Sequence, residues 1–253
     1  DPGSSLKANG LEIVVVATGE RYGMGLRIEK ATVDLGVGTS INVSNGYGIY
    51  AISTGSTIVA NGLTVSATKG YGLNIQSGAS VNVGTGSIIT SSGELQDAVW
   101  VVETGAKFEA QGVTLSATGV NARGIATENG GSAKMGAGSH ISSAKGGGLI
   151  ASSNSSINYI GGTTAATRNT ITAGGSYGAS AQQINTTVNL KNTDVFVNSA
   201  GARAYGLWAV SSGVINAENV TVHAVDGVYG IRSNAGGKTN LSGNIVIDAS
   251  ASG

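Results

Sequence analysis

The sequence predicts an all-β fold of one kind, a three-stranded parallel β-helix in which about ten similar coils stack into a rod. Short runs of alternating apolar and polar residues recur along the whole chain, and they recur at a nearly constant spacing. The composition, with 42 Gly and 1 Pro, agrees with this fold class. Gly suits tight corners, and a near-absence of Pro keeps the N–H groups of the strands available for pairing.

Residues 57–78 show the repeating unit most clearly. They contain three alternating runs, at 58–60, 63–67 and 73–75, which are rich in β-branched residues and bounded by Gly, Asn or Ser. This pattern predicts three strands separated by turns. One such unit cannot bury its apolar face, whereas a stack of units encloses a continuous core.

Copies of this unit follow one another along the chain. The second inward residue of the first run recurs at intervals of roughly 23 to 31 residues, at Ala8, Leu35, Ala60, Val83, Ala110, Met135, Tyr159, Leu190, Ala217 and Leu241. The third run repeats a Tyr-Gly corner, as in YGIYAI from Tyr47, YGLNI from Tyr71 and YGLWAV from Tyr205. With coils about 4.8 Å apart, the rod should be on the order of 50 Å long.

We interpret residues 1–253 as a single β-helix domain, because the repeat continues without a change in composition. The irregular place is a longer coil at residues 154–184, where residues 161–168 resemble an inserted loop. No polar cap is evident at the C-terminal end, whereas a free solenoid end normally needs one. We therefore expect the chain to be a fragment of a longer parent protein with further coils.

Charge and residue content argue against several function classes. The formal net charge is +0 and basic residues are not clustered, so nucleic-acid binding is not expected. No apolar stretch approaches the length of a membrane-spanning helix, and the fragment itself should be soluble. His140 and His223 lie about three coils apart, as do Asp34 and Glu109, so neither pair can form a site. We expect no metal, no cofactor and no catalytic residues, and hence not an enzyme.

Three recurring patterns carry a family resemblance. They are SVNV from Ser80 at a first strand, NVTV from Asn219 at a second strand, and YGLWAVSSG from Tyr205 at a third strand. In these patterns, over essentially its whole length, the chain resembles the passenger regions of bacterial autotransporters, most closely pertactin-like and adhesin-type passengers. The resemblance implies a right-handed β-helix that a Gram-negative bacterium secretes through its outer membrane and displays on the cell surface. It also implies that an outer-membrane barrel anchors the parent protein.

One predicted outward column holds both tryptophans of the chain. Between the inward apolar residues of successive third strands stand Arg27, Tyr50, Asn74, Trp100, Ala126, Ile150, Ser180, Trp208 and Arg232. Aromatic side chains are enriched at interaction anchors. The candidate binding residues are therefore Tyr50, Trp100, Trp208, Arg27 and Arg232. The alternative is that each Trp packs under a neighbouring loop or under adjacent outward side chains.

A second outward column, on the first strands, ends in four successive asparagines: Asn158, Asn189, Asn216 and Asn240. We favour an amide ladder, in which each side chain hydrogen-bonds the next and the role is structural. The alternative is a polar strip for self-association, along which two rods exchange hydrogen bonds.

The function predicted from these features is that of a surface adhesin. Its partner would be a host extracellular-matrix protein, a receptor or a glycan, or an identical rod on a neighbouring cell, as in a biofilm. One alternative is a passive stalk that presents another domain. Another is a polysaccharide-degrading β-helix enzyme, which would need a groove of clustered carboxylates that the sequence does not show.

Overall fold

The structure is a computed structural model that describes residues 3–18, 22–199, 203–225 and 228–250. It is a parallel β-solenoid with almost no helix, so the predicted all-β solenoid class is confirmed. It has about nine turns over the described residues, where the sequence predicts about ten. The strands of its first half are β1 Ser4–Lys7, β2 Glu12–Val15, β3 Gly23–Glu29, β4 Ala31–Val37, β5 Ser40–Val43, β6 Gly46–Ile52, β7 Thr57–Asn61, β8 Thr64–Ala67, β9 Leu73–Gln76, β10 Ser80–Val83, β11 Ile88–Ser91 and β12 Val99–Val102.

The second half continues the same order of strands. They are β13 Lys107–Ala110, β14 Thr114–Val120, β15 Ile125–Glu128, β16 Ser132–Met135, β17 His140–Lys145, β18 Leu149–Ser152, β19 Ser156–Ile160, β20 Asn169–Ala173, β21 Tyr177–Gln182, β22 Thr187–Asn198, β23 Tyr205–Val210, β24 Val214–Val225, β25 Tyr229–Asn234, β26 Lys238–Ser242 and β27 Val246–Ser250. A short 3-10 helix, Ala165–Thr167, lies between β19 and β20, inside the coil that the sequence marks as irregular.

Each strand pairs in parallel with the equivalent strand of the next coil. The third strands form one nine-stranded sheet, from β3 to β25. The first and second strands form an eighteen-stranded sheet, because β22 and β24 run through both positions without interruption. The predicted alignment of the first strands is confirmed, since Ala60 pairs with Val83, and Val83 with Ala110. The same column continues in register through Met135 and its successors to Leu241.

The core is the narrow interior enclosed by the three strands of each coil. Its apolar columns are buried except in the end coils, where Leu6 and Leu241 are exposed, and the largest fully buried side chains are Tyr159 and Phe108. The Gly of the Tyr-Gly corner has a steric reason: a Cβ at Gly48 would lie 2.2 Å from Val65 Cγ1 and 2.5 Å from the Gly72 carbonyl oxygen. A methyl group has no room there, so only Gly lets the third strand come this close to the core at the corner.

The corner between first and second strands needs a left-handed backbone. Gly62 and Gly112 have φ of 56° and 60° there, and Asn192 and Asn219 take the same place with φ of 48° and 55°. Asn tolerates this conformation better than most residues with a side chain. In the described residues, no helix is both long and apolar enough to span a membrane.

Candidate functional site

The candidate binding residues lie on the outer side of the nine-stranded sheet, which we call the aromatic face. Every step of the predicted column is in register, from Arg27 opposite Tyr50 to Trp208 opposite Arg232. The strand alternation therefore places these nine side chains in one line along the rod, as the sequence predicts.

Exposure varies along this line. Asn74, Ala126, Ile150 and Ser180 are buried although they point away from the core. Tyr50, Trp100 and Trp208 are half-buried, and only Arg27 is exposed. For Ala126 and Ile150, the cause is that Tyr177 and Tyr205 of the neighbouring corner column pack over them. For the tryptophans, packing among adjacent outward side chains is what the structure shows.

An N-terminal aromatic run covers the first four coils of this face. Tyr22 stacks on Tyr47 with ring centroids 6.0 Å apart, Tyr47 on Tyr71 at 5.8 Å, and Tyr71 on Trp100 at 4.8 Å. Tyr50 packs at a tilt against Tyr47, 6.0 Å away. The planes of the stacked rings are within 20° of parallel. The run is therefore one continuous pile of rings along the rod.

The stack begins in an unexpected register. Met24, rather than Tyr22, pairs with Tyr47 in the sheet. The Tyr22 ring still reaches Tyr47 from outside the strand. The Tyr-Gly pattern also occurs at Tyr22-Gly23, which would align Tyr22 with Tyr47. In the structure, Tyr22 lies two residues before the aligned Met24 and still stacks on Tyr47.

A C-terminal aromatic run covers the last coils. Tyr205 stacks on Tyr229 at 5.7 Å, and Trp208 packs at a tilt between Tyr177 and Tyr205. The Trp208 indole N–H donates a hydrogen bond to Asn234 Oδ1 at 2.9 Å. By contrast, the indole N–H of Trp100 is buried and has no partner among the described residues.

Each run has an arginine at its outer end. Arg27 lies 5.8 Å from the Tyr50 ring centroid and bonds Glu29 at 2.9 Å. Arg232 lies 5.0 Å from the Tyr205 ring centroid and donates to the Tyr205 hydroxyl. Cation–π contacts of this kind hold both arginines along the face.

A charged cluster separates the two runs, and sequence reasoning missed it. Asp97 and Arg123 take the places in the corner column where other coils have Tyr. Asp97 is fully buried and accepts bonds from the Arg123 backbone N–H at 2.7 Å, from Nε at 2.9 Å and from Nη2 at 2.7 Å. Arg123 Nη1 also bonds Glu128 Oε1 at 3.0 Å. The signal in the sequence was the substitution of opposite charges at one column position in consecutive coils.

Tyr177 completes this cluster from the C-terminal side. Its ring lies over Gly147, where a Cβ would come within 2.1 Å of Tyr177 Cε2, and its hydroxyl bonds Arg123. Burial raises the pKa of Tyr177 to about 12. Burial also raises the pKa of the Asp97 carboxyl, although Arg123 opposes that effect. Asp97 is enclosed and bonded on both oxygens, so its carboxylate is not available to a substrate, and the partly exposed Glu128 is paired with Arg123.

The predicted amide ladder on the first strands is confirmed. Asn189 donates to Asn158 Oδ1 at 2.7 Å, Asn216 to Asn189 at 2.7 Å and Asn240 to Asn216 at 2.8 Å. A second, corner ladder lies nearby and was not anticipated: the Asn219 amide donates to Asn192 Oδ1 at 3.2 Å. The spacing of 27 residues between those two asparagines was the available signal. Self-association of rods along the first of these ladders stays a prediction.

The histidines stay apart, as expected. His140 bonds Thr170, and His223 stacks on Phe196 with centroids 4.6 Å apart, on the second strands. Within the described ranges, His, Asp and Glu side chains do not come together in groups of three that would suit a metal ion.

The chain is similar to two curated proteins of Escherichia coli. It is 35% identical, over 304 aligned residues and 98% of its own length, to a protein of strain K12 described as "Probable autotransporter YcgV". Identity and coverage are the same for a YcgV protein of strain O157:H7. The chain spans 31% of the first relative and 54% of the second. No protein-family model matches the chain, and no solved structure matches it. Homology and the β-solenoid together confirm the resemblance to autotransporter passengers.

Proposed function

We infer that this relative of a protein named as an autotransporter is a section of a passenger displayed on the surface of a Gram-negative cell. We propose that it acts there as an adhesin, and that the aromatic face makes the contact. The homologues support the surface location, and the solenoid supports a role in which a long rod projects side chains at regular intervals.

The observation that carries this proposal is the concentration of aromatic side chains on one face. Seven of the eight tyrosines and both tryptophans of the chain belong to the two aromatic runs on this one sheet. Aromatic residues with a flanking arginine are typical of interaction anchors. Because stacking already holds the rings in place, little side-chain entropy is lost when a partner binds.

The arrangement of the rings favours a protein partner over a glycan. Sugars bind aromatic residues by lying on the flat face of a ring. Inside each run, neighbouring rings occupy those faces, as Tyr71 does for Trp100 at 4.8 Å, and the exposed end rings Tyr22 and Tyr229 each stack on a single ring. Most of the accessible aromatic surface is then ring edge and hydroxyl, which suits the mixed surface of another protein.

The test is a double variant in the full-length parent protein displayed on cells. Tyr50→Ala with Trp208→Ala removes one half-buried ring from each run. We expect loss of binding to arrayed matrix proteins, or loss of cell aggregation, at an unchanged level of protein on the surface. Phe196→Ala is the matched control, since this ring is 39% exposed on the other sheet. Unchanged adhesion in the double variant, with Phe196→Ala also silent, contradicts the proposal.

A passive stalk is the second candidate, and one observation favours it. The half-buried rings on the face have partners within the chain, so the stacks serve to stiffen the rod whether or not anything binds. A stalk requires only length. Deleting two whole coils would then shorten the rod and leave adhesion by another domain intact, whereas an adhesin loses contact area in proportion.

A further inference from the structure

One loop interrupts the regular coils, and the proposed contact on the aromatic face does not account for it. It comprises residues 161–168 and lies between β19 and β20, where a first strand turns into a second strand. The carbonyl of Gly161 accepts a hydrogen bond from the Asn192 side-chain amide at 3.0 Å. Within the loop, the hydroxyl oxygens of Thr164 and Thr167 are 2.7 Å apart. The loop is therefore a fixed structure on the surface of the rod.

A groove of about 350 Å³ runs beside this loop, along the corner between the first and second strands of the following coils. The residues that line it are an arginine, an aspartate, two threonines and three asparagines, so the lining is entirely polar. Its volume lies at the small end of ligand sites, which hold about 300–1,000 Å³. Most such sites are lined by apolar side chains. The groove thus has the size of a ligand site but an unusual chemistry.

Arg168 and Asp194 form the centre of this groove. Arg168 Nη2 donates to Asp194 Oδ1 at 2.6 Å, and Arg168 Nε donates to Asp194 Oδ2 at 3.0 Å. Arg168 Nη2 also reaches the carbonyl oxygen of Asn219 at 3.2 Å. The hydrogen bonds from Arg168 lower the pKa of the Asp194 carboxyl, so it stays ionised. The two side chains are 22% and 25% exposed, so both are held in place and can still be reached from solvent.

The groove also keeps polar groups that the chain does not satisfy. Among the described residues, Arg168 Nη1, the Thr163 hydroxyl and the Asn244 side-chain amide have no hydrogen-bond partner. By contrast, Asn219 donates to Asn192 at 3.2 Å, so these two amides already bond each other. Since the loop fixes Arg168 in advance, a ligand that bonds it costs little further side-chain entropy.

The charge and polarity of the lining define the ligand. The formal charges of Arg168 and Asp194 cancel, so the groove attracts neither a phosphate or sulfate group nor a cation. It has no apolar lining that would hold the side chains of a peptide. A sugar hydroxyl both donates and accepts, so one hydroxyl can accept from Arg168 Nη1 while its neighbour donates to Asp194. We propose that this groove binds an uncharged glycan.

A second polar groove on the same corner lacks this fixed arrangement. It measures about 400 Å³, and its lining includes Glu109 and Lys134. These residues pair in adjacent strands, and both side chains are exposed. No ion pair joins them in the part of the chain that the structure describes. A ligand there would have to order two long side chains, which costs entropy. The groove beside the loop is therefore the better site, and the second groove provides a matched control.

The glycan site is separate from the aromatic face. It lies on the eighteen-stranded sheet, at the corner between first and second strands, whereas the aromatic face is the outer side of the third strands. Binding of a glycan here adds a second ligand to the proposed protein contact and does not depend on it.

The first test exposes cells that display the full-length parent protein to fluorescent glycans. The uncharged probes are oligosaccharides of glucose, galactose, mannose and N-acetylglucosamine, and the charged probes are sialyllactose and heparin oligosaccharides. Host-type oligosaccharides and bacterial polysaccharides are separate arms, which distinguish the source of the glycan. We expect retention of at least one uncharged probe and of no charged probe. Retention of charged probes alone, or of none, overturns the proposal.

The second test locates the site with substitutions that spare the fold. Thr163→Ala and Asn244→Ala remove exposed groups that have no partner in the described chain, so both variants should be displayed like the parent. Each should weaken binding of the retained probe about two- to tenfold. Arg168→Lys keeps the charge but loses the planar fork, and we expect a loss of about 10- to 100-fold. Unchanged binding in the combined Thr163→Ala, Asn244→Ala variant overturns the proposal.

The controls separate this inference from the adhesive function. Glu109→Ala with Lys134→Ala changes only the second groove and should bind the probe like the parent, so loss of binding there would place the site in that groove and overturn the proposal. The Tyr50→Ala, Trp208→Ala variant should keep glycan binding while it loses adhesion to protein. If that variant still adheres to protein, and glycan binding still requires Thr163 and Asn244, the adhesive role of the aromatic face fails and the glycan site stands.

Discussion

The aromatic face and the asparagine ladder are both built from columns of outward side chains. They differ in the contacts between adjacent coils, which are ring stacking on the face and hydrogen bonds in the ladder. In the ladder, each amide donates to the next at 2.7 or 2.8 Å, so one side chain satisfies another. On the aromatic face, rings stack at 4.8 to 6.0 Å, and Tyr47, Tyr71 and Trp100 stay partly exposed. The ladder amides satisfy each other's hydrogen bonds, whereas the stacked rings are held by packing alone.

The interruption between the two aromatic runs follows from the same geometry. Equivalent residues of adjacent coils are close neighbours, so a column tolerates repeated tyrosines or asparagines but not repeated like charges. Asp97 and Arg123 take consecutive places with opposite sign and bond each other. The difference shows that an outward residue in a solenoid is constrained first by the equivalent residues of the adjacent coils and only then by solvent.

The largest effect on stability is expected from breaking the charged cluster between the two aromatic runs. Arg123→Met leaves the buried Asp97 carboxylate without its counter-charge, and we expect the free energy of unfolding to fall by about 3–5 kcal/mol. Urea denaturation followed by circular dichroism measures it. Adding Asp97→Asn to the Arg123→Met variant should recover much of the loss. If Arg123→Met is as stable as the parent, the charged cluster between the two aromatic runs contributes nothing to the free energy of unfolding.

A smaller effect is expected within the C-terminal aromatic run. Trp208→Ala removes a half-buried ring that packs against two tyrosines and bonds Asn234, which should cost about 2–3 kcal/mol. Trp208→Phe keeps the ring contact and should recover about half of that cost. Thermal unfolding distinguishes the two. Equal stability of both variants would show that ring packing on the aromatic face contributes little to stability.

The smallest effect is expected in the ladder. Asn189→Ala leaves a donor and an acceptor of the adjacent amides unpaired, but these groups are half-buried and water can reach them, so we expect about 1 kcal/mol. Asn82→Ala is the matched control, since this residue occupies the same column between Val59 and Glu109 and has no amide neighbour. If the two substitutions cost the same, the ladder hydrogen bonds add no stability.

Much of the fold could be predicted because the sequence repeats at two levels, within each strand and from coil to coil. Period-two alternation decides which side of a strand faces the core, and the spacing of coils decides which residues pair. The column from Ala60 to Leu241 and the column from Arg27 to Arg232 are therefore both in the predicted register. The asparagine ladder follows by the same logic, since identical amides one coil apart are within hydrogen-bond reach.

Alternation and coil spacing could not predict how exposed the residues of the column from Arg27 to Arg232 are. Strand alternation indicates that Ala126, Ile150 and Ser180 point away from the core, but it does not indicate what lies above them. Tyr177 and Tyr205 belong to the corner column, and the direction in which their rings lean depends on the space left by Gly147 and by the neighbouring coil. The opposite charges of Asp97 and Arg123 at one column position could have indicated their pairing, but the complete burial of Asp97 needed the structure.

The sequence by itself determined the all-β class, the pairing of coils and the columns on each face, because backbone hydrogen bonding between parallel strands depends only on residue spacing and alternation. The tertiary structure alone decided which outward side chains are covered and where the two aromatic runs end. Those features depend on the shapes and charges of side chains from three or more coils together, and no local pattern in the chain encodes them.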